Sequence, residues 1–276
     1  MSSVLKPTIE APVAKTVSDG WIATRRNIYK LRRDPEIFVF SLIQPIMFVL
    51  LFNYVFAGAI QVEGGDYTQF LMAGIFAQTI VLSSTYSGSA MAQDLKDGII
   101  DRFRTLPMSS AAVLIGRTFG DLVINASSLI VMMITGFVIG WRINSSIPEA
   151  ALGILLLLFF SYAFSWVMAL IGMSVRSPEI INNVSFLVLF PMTFLSNAFV
   201  PSETLPGPLR VFAEWNPVSA LIQSTRELFG NVPAGMPAGD SWLQQNPLTT
   251  VFAALVLMLV VFIPLSIRKF KSISSR

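Results

Sequence analysis

Residues 150–174 read AALGILLLLFFSYAFSWVMALIGMS, without one charged side chain. A helix needs roughly 20 mostly apolar residues to cross a bilayer core. In lipid the backbone must satisfy its own polar groups, so a run of this length reads as a spanning helix. A transmembrane β-strand would alternate over about ten residues, and this run does not.

Five more stretches qualify on either side of it, at 37–59, 67–92, 111–140, 180–200 and 248–267. The stretch at 111–140 holds Asp121 and Asn125, and its clean apolar core follows Asp121. The stretch at 180–200 is the most polar, with Asn182, Asn183 and Asn197. Composition agrees: 54% of the 276 residues are hydrophobic and 13% charged, against about 25% charged in an ordinary soluble domain. Cysteine and histidine are both absent. That excludes disulfides, thiolate or imidazole metal sites, cysteine nucleophiles and Ser-His triads. No apolar run precedes residue 37, so no cleaved signal peptide is expected.

Basic residues set the orientation. Seven lie ahead of the first stretch: Lys6, Lys15, Arg25, Arg26, Lys30, Arg32 and Arg33. Lys96, Arg102, Arg104 and Arg117 join the second stretch to the third, and Arg176 joins the fourth to the fifth. Arg268, Lys269, Lys271 and Arg276 close the chain, while Arg142, Arg210 and Arg226 fall on the other side. Sixteen against three predicts both termini in the cytoplasm, since cytoplasmic loops carry the basic excess. The expected fold is an all-α membrane protein with six spans over 36–268. A disordered tail at 1–16, an amphipathic interface helix at 17–35 and a basic tail at 269–276 flank it.

The connections are more informative than the spans. In the interface helix Trp21, Thr24, Ile28 and Leu31 share one face, and the arginines around them suit lipid phosphates. Residues 93–109, QDLKDGIIDRFRTLPMS, place Leu95, Ile99, Phe103 and Leu106 on one stripe. That predicts a short cytoplasmic helix, either flat on the headgroups or docked in a protein groove. Its mixed acids and bases suit the groove better. Asp97-Gly98 and Arg102 resemble the start of a membrane phosphotransferase motif. The glycine and two aspartates that follow in that motif are here Ala111, Ile115 and Phe119, so the metal-binding carboxylates are missing and that reading is rejected. Ser177, Pro178 and Glu179 form a helix start. Outside, Asn216-Pro217 and Gly230 bracket an expected helix at 217–229 that either folds back over a pathway or lies as a surface loop helix.

Charges inside spans usually mark ion or proton pathways, and only Asp121 approaches that here. Gln44, Asn53, Gln78, Asn182, Asn183 and Asn197 read as interhelical glue more often than as ligands. No G-x-x-x-x-G-K-[ST] motif is present to cradle ATP phosphates, so energy for transport points to a separate cytoplasmic ATPase.

Four segments together resemble a known family. They are the D-x-x-x-G-x-x-D-R-F-R-[ST]-L-P-M stretch at 94–108, the R-S-P-E turn at 176–179, SFLVLFPMTFLSNAFVPSETLP at 185–206, and NPVSALIQSTRELFGN at 216–231. The chain is similar to type 2 ABC exporter permeases of the daunorubicin-resistance class. The resemblance implies a bacterial plasma-membrane permease that binds no cofactor or nucleic acid itself. It implies two copies of an ATP-binding subunit, which use ATP and Mg, and a second permease, identical or paralogous. By the same resemblance Asp94, Asp97, Asp101, Arg102, Phe103, Arg104, Arg176 and Glu179 serve coupling to the ATPase. A pathway lined by the second and fifth spans would include Phe76, Gln78, Phe194, Asn197 and Phe199. The expected cargo is an amphipathic drug, antibiotic or lipid. Rival readings are a polysaccharide or lipid-linked glycan exporter, a non-transport assembly subunit, and an intramembrane enzyme, which the missing histidine, cysteine and paired carboxylates disfavour.

Overall fold

The computed structural model describes residues 35–56, 65–99, 110–175, 177–199, 202, 205–233 and 241–273, and every regular element among them is helical. Helix α1 (Pro35–Leu51) runs into a π-helical turn at Phe52–Phe56. Helices α2 (Tyr67–Ser83), α3 (Thr85–Lys96), α4 (Ser110–Val138) and α5 (Ile147–Gly172) follow. Then come α6 (Pro178–Phe194), α7 (Gly207–Trp215), α8 (Pro217–Phe229), α9 (Trp242–Gln245) and α10 (Pro247–Ile273). The expected tail and interface helix, up to residue 34, lie outside the described residues.

Four of the expected spans are long and apolar enough to cross a membrane: Tyr67–Lys96, Leu114–Val138, Ile147–Gly172 and Pro247–Ile273. Helices α1 and α6 are shorter. Each has 17 residues, about 26 Å at 1.5 Å per residue. The stretch at 180–200 is helical only to Phe194, and a turn carries the chain onward. The physical reason comes from elsewhere in the chain, as described below.

Helix α2 is the centre of the bundle. It is apolar on all sides, and nearly every residue from Tyr67 to Val81 is buried, as expected of a helix with no polar face. Helices α1, α4, α5, α6 and α8 pack around it. Helix α10 lies against α5 and α8 and turns Phe252, Val256, Leu257 and Val260 outward, a surface suited to lipid. Two contacts depend on glycine. Helix α3 crosses α5 at Gly88 and Gly172, where a Cβ on Gly172 would sit 2.4 Å from the Gly88 carbonyl oxygen. At Gly74 a Cβ would meet the Ala198 carbonyl oxygen at 2.4 Å. Small residues let backbones approach this closely in membranes.

Helices α2 and α3 meet at Ser84, whose hydroxyl donates back to the Ile80 carbonyl at 2.9 Å; such back-bonding bends helices. The start of α6 follows the sequence: Ser177 precedes Pro178 as its cap residue. Helix α8 also matches its expected bounds. The Asn216 side chain accepts from the Val218 N–H, and Gly230 ends the helix at φ +68°.

Two expectations change. The cytoplasmic helix over 93–109 is not continuous, because Gln93–Lys96 ends α3 and Gly98 breaks it at φ +65°. Residues 100–109 lie outside the described residues. Helix α8 is no surface loop helix. It is wedged among α2, α5 and α10, with all its residues buried except Pro217, Gln223 and Glu227. Its end is locked to the chain after α4: the Asn144 N–H donates to the Phe229 carbonyl at 2.9 Å, and the Ser145 hydroxyl to that of Leu228 at 2.6 Å.

Candidate functional site

A cavity of about 280 Å³ lies between α1, the α2–α3 joint and α6. Gln44 and Phe48 face it from α1, Gln78, Thr79 and Ser83 from α2, and Thr85 and Tyr86 from α3. Asn182, Ser185, Phe186 and Phe190 line it from α6.

One wall is aromatic because of helical spacing. Phe186, Phe190 and Phe194 recur every four residues and so share a face of α6. Their rings stack with centroids 4.9 and 4.1 Å apart. Beyond the helix, Phe199 stacks on Phe194 at 4.7 Å and Phe52 on Phe199 at 4.3 Å. Offset stacking of this kind adds to the burial of the rings. The ladder runs from the cavity wall to a cluster of Phe52, Phe194 and Phe199 beyond the end of α6.

The turn that carries Phe199 is held by Arg226. This arginine is fully buried, on α8. Its Nε donates to the Phe70 carbonyl at 3.0 Å, and its Nη2 to the carbonyls of Asn197 at 2.6 Å and Ala198 at 3.4 Å. The guanidinium carbon sits 3.6 Å from the centre of the Phe70 ring, a cation–π distance. The Tyr67 hydroxyl donates to the Phe199 carbonyl at 3.3 Å, and the Asn216 amide to that of Met192 at 2.7 Å. These donors replace a helical ladder past Phe194, which is why the turn at 195–199 persists.

The other end is tied by polar pairs. Asp94 of α3 is buried and ion-paired with Arg117 of α4. The Ser87 hydroxyl donates to the Asp121 carboxylate, and the Ser89 hydroxyl to the Asn182 side-chain oxygen at 2.7 Å. Helix α3 is thereby fastened to both α4 and α6.

The residues singled out in the sequence separate into groups. Asp94 anchors α3 as just described. Asp97 is exposed and accepts from the Gln93 amide at 2.8 Å. Glu179 is exposed at the start of α6, where hydrogen bonds from the Ser177 hydroxyl and then from its own backbone hold its carboxyl below the usual carboxylate range. Asp101, Arg102, Phe103, Arg104 and Arg176 lie outside the described residues. Gln78 lines the cavity, Phe194 and Phe199 belong to the ladder, and Asn197 lends its carbonyl to Arg226. Phe76 is not brought to them. It stands two residues from Gln78, on the opposite side of a helix, and packs edge-on against Trp141 and Phe229 at 5.1 and 6.2 Å. Sequence reasoning missed Thr79, Tyr86, Phe190 and the burial of Arg226. The phenylalanine spacing at 186, 190 and 194 is the one signal that would have found part of this. Gln44 and Asn182, read as glue, line the cavity.

Comparison with known proteins bears on this arrangement. The chain is 29% identical to a daunorubicin resistance ABC transporter permease protein of Streptomyces coeruleorubidus, over 94% of this chain and 90% of that one. It is 22% identical to a probable doxorubicin resistance ABC transporter permease protein of Mycobacterium tuberculosis, over 76% of each chain. It is 25% identical to an O-antigen export system permease protein of Klebsiella pneumoniae, over 76% of this chain and 79% of that one. The family model described as ABC-2 type transporter matches residues 19–230. With that match spanning most of its length, the chain is a membrane-embedded member of the ABC-2 type transporter family.

Proposed function

We propose that this chain is the permease subunit of an ATP-driven exporter of amphipathic small molecules in a bacterial plasma membrane. It crosses six times with both ends inside, α1 and α6 completing the count. It works with a second permease, identical or paralogous, and with two ATP-binding subunits that hold ATP and Mg. The observation that carries this reading is the cavity between α1, α2–α3 and α6, lined by apolar, aromatic and uncharged polar side chains, with the phenylalanine ladder leading from its wall to the turn that Arg226 holds. ATP binding in the partner would favour the state with the better contacts and shift the population between inward and outward openings. A glycan exporter is the second reading, favoured by the O-antigen relative. The cavity argues against it. At about 280 Å³ it falls at the lower edge of small-molecule sites, room for one ring system and its substituents.

The test is association and coupling. Co-expressed with an ATP-binding subunit of an ABC exporter from the same organism, the chain should co-purify with that subunit. The double substitution Asp101→Arg with Phe103→Ala should lower substrate-stimulated ATP hydrolysis at least about tenfold, as loss of central contact residues does, with membrane insertion unchanged. Wild-type transport and ATPase activity in that variant would remove the docking role. Failure to associate with any ATP-binding subunit would favour a non-transport assembly.

A further inference from the structure

The outward face of α10 changes chemistry before the helix ends. Leu257, Val261 and Leu265 lie exposed on that face, and Arg268 and Lys271 continue it, also exposed. Spacings of three and four residues keep all five on one side of the helix. The cations stand about one and two turns past Leu265, roughly 4.5 and 9 Å further along the axis at 1.5 Å per residue. Neither has a carboxylate partner among the described residues, whose ion pairs are Arg117–Asp94 and Arg210–Glu214. No Asp or Glu occurs anywhere from 247 to 276. The opposite side of the same turns is fixed to the protein. The Ser266 hydroxyl donates to the Trp166 carbonyl at 3.2 Å, and Phe270 is buried with Met91, Leu114, Trp166 and Met173. These contacts set the rotation of the helix end, so its two cations stay turned away from the bundle.

A soluble partner meets the charges but not the apolar stripe that leads to them. A phospholipid meets both. Its acyl chains lie along 257–265, and its phosphate comes level with two basic side chains whose long stems reach along the interface. A zwitterionic headgroup leaves this end with its excess positive charge, whereas an anionic one neutralises it. We infer that the α10 face from Leu257 to Lys271 is a binding site for an anionic phospholipid of the surrounding membrane, with Arg268 and Lys271 on the headgroup phosphate. The site needs only that α10 crosses the membrane, whatever the chain transports.

Native mass spectrometry of the full chain tests this, from micelles holding equal amounts of phosphatidylglycerol and phosphatidylcholine with matched acyl chains. The parent should retain phosphatidylglycerol in preference. Each basic group beside an anionic lipid contributes about fivefold. Lys271→Gln should therefore lower the preference about fivefold, and Arg268→Gln with Lys271→Gln about 25-fold. Arg268→Lys with Lys271→Arg should keep it. Lys269→Gln removes the same charge from a half-buried neighbour of Phe270 and should change nothing. In phosphatidylcholine alone the parent and the double glutamine variant should melt together, because both substituted side chains are exposed. Phosphatidylglycerol should then raise the melting temperature of the parent only. Equal retention of the two lipids by the parent, or a preference that survives the double glutamine variant, would overturn the inference. So would an equal loss from Lys269→Gln, which would make the effect one of net charge. Displacement of the lipid by soluble glycerol phosphate at the same concentration would leave a phosphate site without acyl chains and overturn it too. An altered oligomeric state with lipid retention unchanged would give the face to a second copy instead.

Discussion

Arg226→Leu is expected to destabilise the protein by about 2–4 kcal/mol. Leucine fills most of the space, so the loss is polar in origin. The carbonyls of Asn197 and Ala198 lie past the end of α6 and take hydrogen bonds from this one guanidinium, which also reaches the Phe70 carbonyl within α2. Each buried acceptor left without its donor costs about 1–3 kcal/mol, and the cation–π contact with Phe70 adds up to about 2. Against this, removing a buried cation returns part of its desolvation cost, which keeps the net below the simple sum. Arg226→Lys should fall between the two, because an ammonium lacks the fork that reaches α2 and the turn together. Denaturant titration of the purified protein in detergent reads both. A leucine variant that unfolds at the parent's midpoint would show that Arg226 does not hold the turn after α6.

Gly172→Leu should be at least as severe, about 3 kcal/mol or more. The first carbon of the side chain would already lie 2.4 Å from the Gly88 carbonyl oxygen and 3.0 Å from its Cα. These are backbone atoms in the middle of α3 and cannot rotate away. Helices α3 and α5 must separate, and overpacking of this kind costs about 1–3 kcal/mol before any contact is lost. Separation then exposes Met91 and Trp166, which share a core cluster at this crossing. Gly172→Ala should show a smaller loss of the same sign. Gly207 is the control: a Cβ there meets nothing within 4 Å, so Gly207→Ala should stay within about 0.5 kcal/mol of the parent. Size-exclusion profiles and thermal melts in detergent rank the series. A Gly172→Leu protein that elutes and melts like Gly207→Ala would remove the crossing as a constraint.

What was legible from sequence follows from how local each cause is. Hydropathy over twenty residues is local, and so the long helices at 67–96, 114–138, 147–172 and 247–273 stand where the apolar stretches stand. Capping is local too: Asn216, Pro217 and Gly230 set both ends of α8. The early end of α6 is not local. Residues 195–199 are apolar enough to continue a helix, and the donor that bonds their turn at Asn197 is 29 residues away, on α8. Arg226 itself looked like an outer-side charge, because nothing in its neighbours says that α8 is wedged between α2, α5 and α10. The site was half legible for a similar reason. Gln78, Phe194 and Phe199 belong to stretches that the family resemblance points at. The rotation of each helix decides which residues face the cavity, and rotation is set by packing: Phe76 is buried against Trp141 and Phe229 while Gln78 lines the cavity.

The bend at Ser84 gives the cavity a mechanical property. Ser83, Thr85 and Tyr86 all line it, so the pivot between α2 and α3 is part of the wall. Helix α3 has 12 residues, a rod of about 18 Å. A rotation of roughly 10° about Ser84 would move the far end of that rod by about 3 Å. The rod ends next to the segment that begins at Asp97, and along its length it is pinned to α4 through Asp94 and to α6 through Ser89. A push of a few ångströms on that end of the rod would therefore arrive at the cavity as a change of angle in its own wall, with α4 and α6 carried along.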